Sequence, residues 1–281
     1  MPILTSDSQV DNTVADELTI KLTQEEFLAR RINSLFRDIV RQQGNNLRVF
    51  GSVENLNSFS PEIEEILVNH YTGVMTIFAN NLVGQSLQNA RPESIFMFQQ
   101  LMRDNISNYA LSQAVTHSDI ITQTNQRDLE KAINATQGLA SESIIRGDGQ
   151  IDFPEEFEHE YFDELDDRVN TIAITETQNA AEQAKIDSVD ALIASGVIAA
   201  SAIRKQWNTI LDGREREWHN EADGQTQEVG IPFIVKGEQL QRPGDATNAS
   251  LDNIINCRCT VTYTMLDAGV VNRDASGNVT F

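Results

Sequence analysis

The sequence predicts an α+β protein: a mostly helical N-terminal half with long helices, then a small mixed α/β C-terminal module with short strands. Three observations predict it. Apolar residues recur at helical spacing over long stretches, as in Phe27, Leu28, Ile32, Leu35, Phe36, Ile39 and Val40. Beyond residue 197 the apolar pieces become short, separated by the turn-forming pairs Asp212-Gly213, Asp223-Gly224 and Pro243-Gly244. Rare residue types concentrate in that second part, which holds both tryptophans, Trp207 and Trp218, and both cysteines, Cys257 and Cys259.

Composition narrows the function. The 281 residues carry 42 acids against 21 bases, a formal net charge of -21. A field of that sign disfavours non-specific binding to DNA or anionic lipid and favours basic partners. The apolar runs fall well short of the ~20 residues a bilayer span needs, so no membrane span is expected. The first ten residues show no basic, apolar, cleavable pattern, and two cysteines make no disulfide framework. Synthesis in a reducing cytoplasm is the simplest reading.

Residues 1–23 are polar and acidic without a sustained period, and read as a mobile N-terminal arm. Residues 24–150 read as a helical domain. Its first helix starts near Gln24, and the polar face carries Arg30, Arg31, Arg37 and Arg41, the one basic cluster in an acidic chain. A solvated face is the ordinary explanation; contact with an acidic partner or DNA is the functional one. A loop is expected from Gly44 to Phe59. Ser60-Pro61-Glu62 then supplies an N-cap, a first-turn proline and an acid at the positive helix end, ahead of the stripe Ile63, Ile66, Leu67, Val74, Ile77 and Phe78. Arg91-Pro92-Glu93 opens the next helix. A break is expected at His117-Ser118-Asp119, with a shorter helix over residues 127–139. His70 and His117 read as surface or boundary histidines.

Asp148 to Glu155 imitates the second half of an EF-hand loop, with Gly149, Ile151 and Glu155 at the right offsets. Ile144 and Arg146 stand where its first carboxylates belong, so calcium binding is not expected. Arg146-Gly147-Asp148 matches an adhesion tripeptide by chance. Residues 151–196 read as a long acidic helix, or two in line: Pro154 fits its first turn, nine acids precede Arg168, and Gly196 is a C-cap. Those acids read as a solvated face because they surround the helix.

Residues 197–265 form the C-terminal module, and residues 266–281 a tail that reads as a turn and an edge strand, or disorder. In the module, Gln206 to Leu211 reads as a strand, Arg214 to Asn220 as a short helix, and Thr226 to Val235, interrupted by Gly230 and Pro232, as a bent strand pair or loop. From Cys257 to Met265 the residues alternate, with Cys257, Cys259, Val261 and Tyr263 on one face. Both tryptophans read as core anchors. Arg214 and Arg216 are expected to pair with Asp212, Asp245 or the acidic helix. An ordered series runs through the region: Thr175-Glu176, Trp207-Asn208-Thr209, Asp212-Gly213-Arg214-Glu215-Arg216, His219, Pro243-Gly244-Asp245 and Asn256-Cys257-Arg258-Cys259. It resembles the phage Mu protein F-like family, the minor head or head morphogenesis proteins of tailed bacteriophages. The resemblance covers roughly residues 165–265. Departures are Ala173-Ile174 ahead of Thr175-Glu176, where the family often carries an arginine, and Ala222 in place of Leu before Asp223-Gly224.

The resemblance implies a non-enzymatic structural protein made in the host cytoplasm and built into the virion head in few copies beside the portal vertex. It would help procapsid assembly, with ejection alongside the DNA as a further expectation. The portal protein and the major capsid or scaffold protein are the implied partners; DNA contact is disfavoured by charge. The Arg30, Arg31, Arg37 and Arg41 face is the candidate partner contact.

Chemistry could reside in His219, Cys257 and Cys259. The leading reading is that two small thiols fill a core. Zinc is chemically sensible, held by His219, Cys257 and Cys259 with Asp223 or Asp212 as a fourth ligand. A Cys-x-Cys disulfide is disfavoured, because alternate strand residues lie about 6.5–7 Å apart. The alternative function is a zinc-dependent enzyme acting on DNA or the cell wall during phage entry. No oxyanion loop, phosphate cradle or paired acids accompany the cluster.

Overall fold

The computed structural model describes residues 7–50, 59–83, 87, 90–135, 161–247, 249–266, 272–273 and 279–280. The EF-hand-like stretch, the Arg146-Gly147-Asp148 tripeptide and the start of the acidic run lie outside them. Among the described residues, four long helices come first: α1 Asp7–Phe50, α2 Ser60–Val83, α3 Pro92–Ala135 and α4 Asp163–Ala194. A region of short elements follows: β1 Ile203–Asn208, α5 Glu217–Ala222, β2 Thr226–Glu228, β3 Phe233–Val235, β4 Glu238–Leu240, α6 Leu251–Ile254 and β5 Thr260–Met265. In the tail, β6 Asn272–Arg273 pairs antiparallel with β7 Val279–Thr280. The architecture is α+β, with long helices preceding short antiparallel strands.

Several local expectations change. α1 begins at Asp7, so the stretch expected as an arm is helical from that residue. Its helical period is hidden because polar side chains such as Lys21 occupy buried positions. α1 also continues through Gly44 to Phe50, where a loop was expected. α3 runs unbroken through His117-Ser118-Asp119 to Ala135, absorbing the expected separate helix. Ser118 is buried there, and its hydroxyl donates to the Val115 carbonyl at 3.1 Å, which lets a residue common in turns sit inside a helix. His70 is buried rather than at the surface.

The chain divides into two compact units: Met1–Gln24, Tyr71–Tyr109 and Ile174–Phe281 form one, and Glu25–His70 and Ala110–Ala173 the other. The second is helical among its described residues. Leu28, Ile32, Phe36, Ile39 and Val40 of α1 are buried, as are Ile63, Ile66 and Leu67 of α2, Ile121 and Leu129 of α3, and Leu165 and Val169 of α4. Polar ties hold the helices in register. Ser60 Oγ donates to Asp119 Oδ1 at 2.9 Å, Asn33 Nδ2 to Asp166 Oδ1 at 2.6 Å, and Arg168 pairs with Asp128 while stacking 5.5 Å from the Phe36 ring.

The first unit holds the C-terminal module. Its sheet has the order β2-β1-β5, antiparallel throughout, with Trp207 opposite Val261 and Gln206 opposite Thr226. β1 alternates, burying Ile203, Lys205 and Trp207. β3 and β4 form a separate hairpin turned by Lys236 and Gly237, both at positive φ (53° and 78°). A two-residue loop of that kind follows the twist of its strands, and glycine makes it cheap. Trp207, Phe233, Val235, Leu240, Val261 and Tyr263 pack with Val189 and Leu192 of α4 in one core.

β5 is an edge strand with exposed backbone groups to satisfy. α4 satisfies them with side chains. Gln178 Nε2 donates to the Cys259 carbonyl (2.5 Å), the Val261 N–H donates to Glu182 Oε2 (3.0 Å), and Lys185 Nζ donates to the Val261 carbonyl (2.8 Å). The spacing explains the match: residues four apart on a helix advance about 6 Å, close to the rise of two strand residues. The charges cancel locally. Glu182 lies 2.7 Å from Lys21 and 2.9 Å from Lys185, and Lys185 lies 2.8 Å from Glu17. Despite complete burial, the two ammonium groups bring the Glu182 carboxyl down to about 2.

Candidate metal centre

The sequence signature converges on one buried corner of the module. After β1 the chain bonds back on itself: the Thr209 N–H donates to Asp223 Oδ1 (2.7 Å), and the Thr209 hydroxyl donates to the His219 carbonyl (2.7 Å). A turn at Gly213, with φ of 83°, brings the chain into α5. His219 and Ala222, three apart, share the buried face of that helix. The Trp207 ring meets the His219 ring edge to face, with centroids 5.8 Å apart. On the other side α6 ends, Asn256 turns the chain at a φ of 56°, and Cys257 and Cys259 enter on the approach to β5. Thr175 of α4 pins that turn, its hydroxyl accepting the Asn256 N–H at 3.2 Å. Its neighbour Glu176 accepts the Tyr71 hydroxyl at 2.6 Å. The Thr-Glu pair of the motif series thus anchors the long helix at both sides.

His219, Cys257 and Cys259 are brought together: one ligand atom from each lies within 4.8 Å of the others. His219 Nδ1 is 3.4 Å from Cys259 Sγ and 3.8 Å from Cys257 Sγ. All three are buried, at 2%, 1% and 3% exposure for His219, Cys257 and Cys259, so a dissolved substrate has no approach. Both cysteines are free thiols.

The ring's proton is fixed by its neighbours. Trp218 Nε1–H can only donate, and it points at Asn253 Oδ1 from 2.7 Å. The other side of that amide, Nδ2, donates to Glu238 Oε2 at 2.7 Å. Asn253 is therefore oriented with its oxygen toward His219 Nε2, 3.1 Å away, and Nε2 must carry the proton. In the tautomer with its proton on Nε2, the Nδ1 lone pair is aimed at the two sulfurs. Glu238 holds the far end in its charged form: the Ser250 backbone N–H and the Asn253 amide depress its carboxyl pKa.

The thiols differ. A hydrogen bond from Cys259 lowers the Cys257 thiol from its ordinary value, while that same bond and burial push Cys259 well up. An imidazole lone pair beside two buried thiols can share protons or hold a soft metal. It makes a poor nucleophile pair, because the thiol nearer the base is the one held protonated.

The other sequence candidates lie elsewhere. Asp223 is engaged by Thr209, and Asp212 is paired with Arg214 at 2.5 Å in an exposed turn; neither joins the cluster. Arg216 donates to the Ile255 carbonyl at 2.5 Å rather than to an acid. Trp207 is fully buried, but Trp218 only half, with Lys236 Nζ 4.1 Å above its ring. In the helical region, Arg30 pairs with Glu26, Arg37 with Asp166 and Arg41 with Asp38, while Arg31 lies 5.8 Å over the Phe27 ring. That face presents alternating charges. Asn253, Gln178, Glu182 and Lys185 escaped sequence reasoning. The available signal was the spacing of Gln178, Glu182 and Lys185 along one helix face.

Residues 134–262 match the family model described as phage Mu protein F like protein. No curated protein and no solved structure matches the chain.

Proposed function

Because residues 134–262 form a phage Mu protein F-like region, we propose that this protein is a minor head protein of a tailed bacteriophage, built into the procapsid beside the portal vertex. The observation that carries the reading is the family match over a region whose motif residues all fold into one module. Their role there is architectural. Trp207, Thr209 and Asp223 join β1 to α5, and Thr175 ties α4 to the turn before Cys257. Asp245 closes the Pro243-Gly244 turn by accepting the Gln241 and Thr247 N–H groups. The portal protein and the major capsid or scaffold protein are the proposed partners, met by the helical region. The alternating charges around Arg30, Arg31, Arg37 and Arg41 suit a protein surface better than DNA. Ejection with the genome is part of the same proposal.

The zinc-dependent enzyme is the weaker alternative, since burial of His219, Cys257 and Cys259 leaves no route for DNA or cell-wall polymer. Mass spectrometry of virions and procapsids from the phage encoding the protein tests the main reading. The protein should be present in both particles; repeated absence from both would sink it.

A further inference from the structure

We propose that His219 Nδ1, Cys257 Sγ and Cys259 Sγ bind a single zinc ion that fastens α5 to the start of β5. The inference stands on the geometry of the module and is independent of where the protein acts. Three features carry it.

The first is distance. Zinc bonds of about 2.3 Å to sulfur and about 2.0–2.1 Å to nitrogen, at tetrahedral angles, put sulfur and nitrogen about 3.6 Å apart. The observed separations of 3.4 and 3.8 Å bracket that edge. The two nitrogen–sulfur edges need adjustments of only a few tenths of an ångström to hold an ion, and all three ligand atoms lie within 4.8 Å of one another.

The second is the proton on the ring. A metal-ligating histidine characteristically donates its other N–H to an oriented acceptor, which fixes the tautomer. Asn253 does this at 3.1 Å, and is itself held by Trp218 and Glu238. This chain of groups favours the tautomer that leaves Nδ1 without a proton, the form a metal ligand needs.

The third is charge. Zinc entering the site displaces one proton from each thiol to solvent, leaving two thiolates, a neutral imidazole and a dication. The sum is zero, which suits a site with so little water. Among the described residues no fourth Asp, Glu, His or Cys joins the group. The fourth position falls to water or to the Thr209 hydroxyl, which lies 3.6 Å from Cys259 Sγ. Trp207, Ala222, Phe233 and Val261 close the surroundings. The ion is therefore structural, linking two segments 38 residues apart.

The test uses the full chain, made in zinc-supplemented medium and purified under mild reduction without chelator or a metal-binding tag. Elemental analysis should find about one zinc per chain. After removal of zinc, cobalt(II) should give a thiolate-to-metal absorption band saturating at about one equivalent and displaced by zinc. Cys257→Ser and Cys259→Ser should each weaken the band, and His219→Gln should lower cobalt affinity at least tenfold, by the loss of a ligand nitrogen. Asp212→Asn should match the unaltered protein. If the cysteine variants do not fold, the unaltered chain decides. Folded protein that carries no zinc and gives no thiolate band with cobalt(II) overturns the proposal.

Discussion

At the scale of single residues, two positions show what close approach and burial demand of a side chain. Gly244, in the Pro-Gly-Asp turn, has a φ of 72°, and a methyl group there would overlap Asn179 Oδ1 on α4. Both the backbone conformation and the close approach demand glycine. Gly244→Ala should cost on the order of 1–3 kcal/mol. The check is a lower urea midpoint at unchanged slope; an unchanged midpoint contradicts the close approach. His70 makes the opposite point, because its burial was not legible in a polar helical context. Burial, with the Arg31 charge behind it, brings its pKa from 6.5 to about 3. The folded value is depressed, so the unfolded chain binds the extra proton between these limits. Stability is complete above about pH 6.5 and falls with acid until about pH 3, by up to about 1.4 kcal/mol per pH unit. His70→Gln removes this term. Urea titrations of both proteins at pH 7 and pH 5 should show the unaltered chain losing more stability on acidification.

At the scale of elements, the junction of α4 with β5 decides how the module is built. A helix occupies the place of a missing strand and meets the backbone of the edge with Gln178, Glu182 and Lys185. Replacing Glu182 by Gln leaves Lys21 and Lys185 buried without their shared carboxylate. The expected loss is about 3–5 kcal/mol, read as a drop in the denaturation midpoint. A loss below about 1 kcal/mol would mean that water already solvates these groups. The same junction shows what a sequence displays and what it hides. The helices from Phe27 onward and from Ser60-Pro61-Glu62 were legible because apolar spacing and caps are local signals. Pro92 opens α3 in the same way, with the Ile95 N–H bonded to the Arg91 carbonyl at 3.0 Å. The region before Gln24 was not legible as helix, because its inward positions hold Glu17 and Lys21, whose partners are more than 150 residues away. Burial of Glu182 and Lys185 on α4 was hidden for the same reason, whereas the acids read as a solvated face include Glu164, Asp166 and Asp167, which are exposed. The β3–β4 hairpin was missed because its turn uses Lys236-Gly237 rather than Asn-Gly or Asp-Gly. In the site, the grouping of His219 with both cysteines was legible from alternation and residue type. The Asn253 relay that fixes the ring proton was not, because α6 has only four residues and carries no period.

At the scale of the whole molecule, charge and motif order point the same way. A net charge of -21 sets the chain against packaged DNA and toward protein partners with basic surfaces. The matched region, residues 134–262, includes all of α4 and the core of the module, and among the described residues its His219, Cys257 and Cys259 corner is buried. A buried corner of that kind suits a structural component of a particle. The most direct test is quantitative mass spectrometry of density-purified virions and procapsids from the encoding phage, with peptide abundance referred to the portal protein. The account predicts the protein in both particles, at a copy number comparable to the portal and far below the major capsid protein. Its consistent absence from both, while the portal is readily counted, would contradict a role in the phage head.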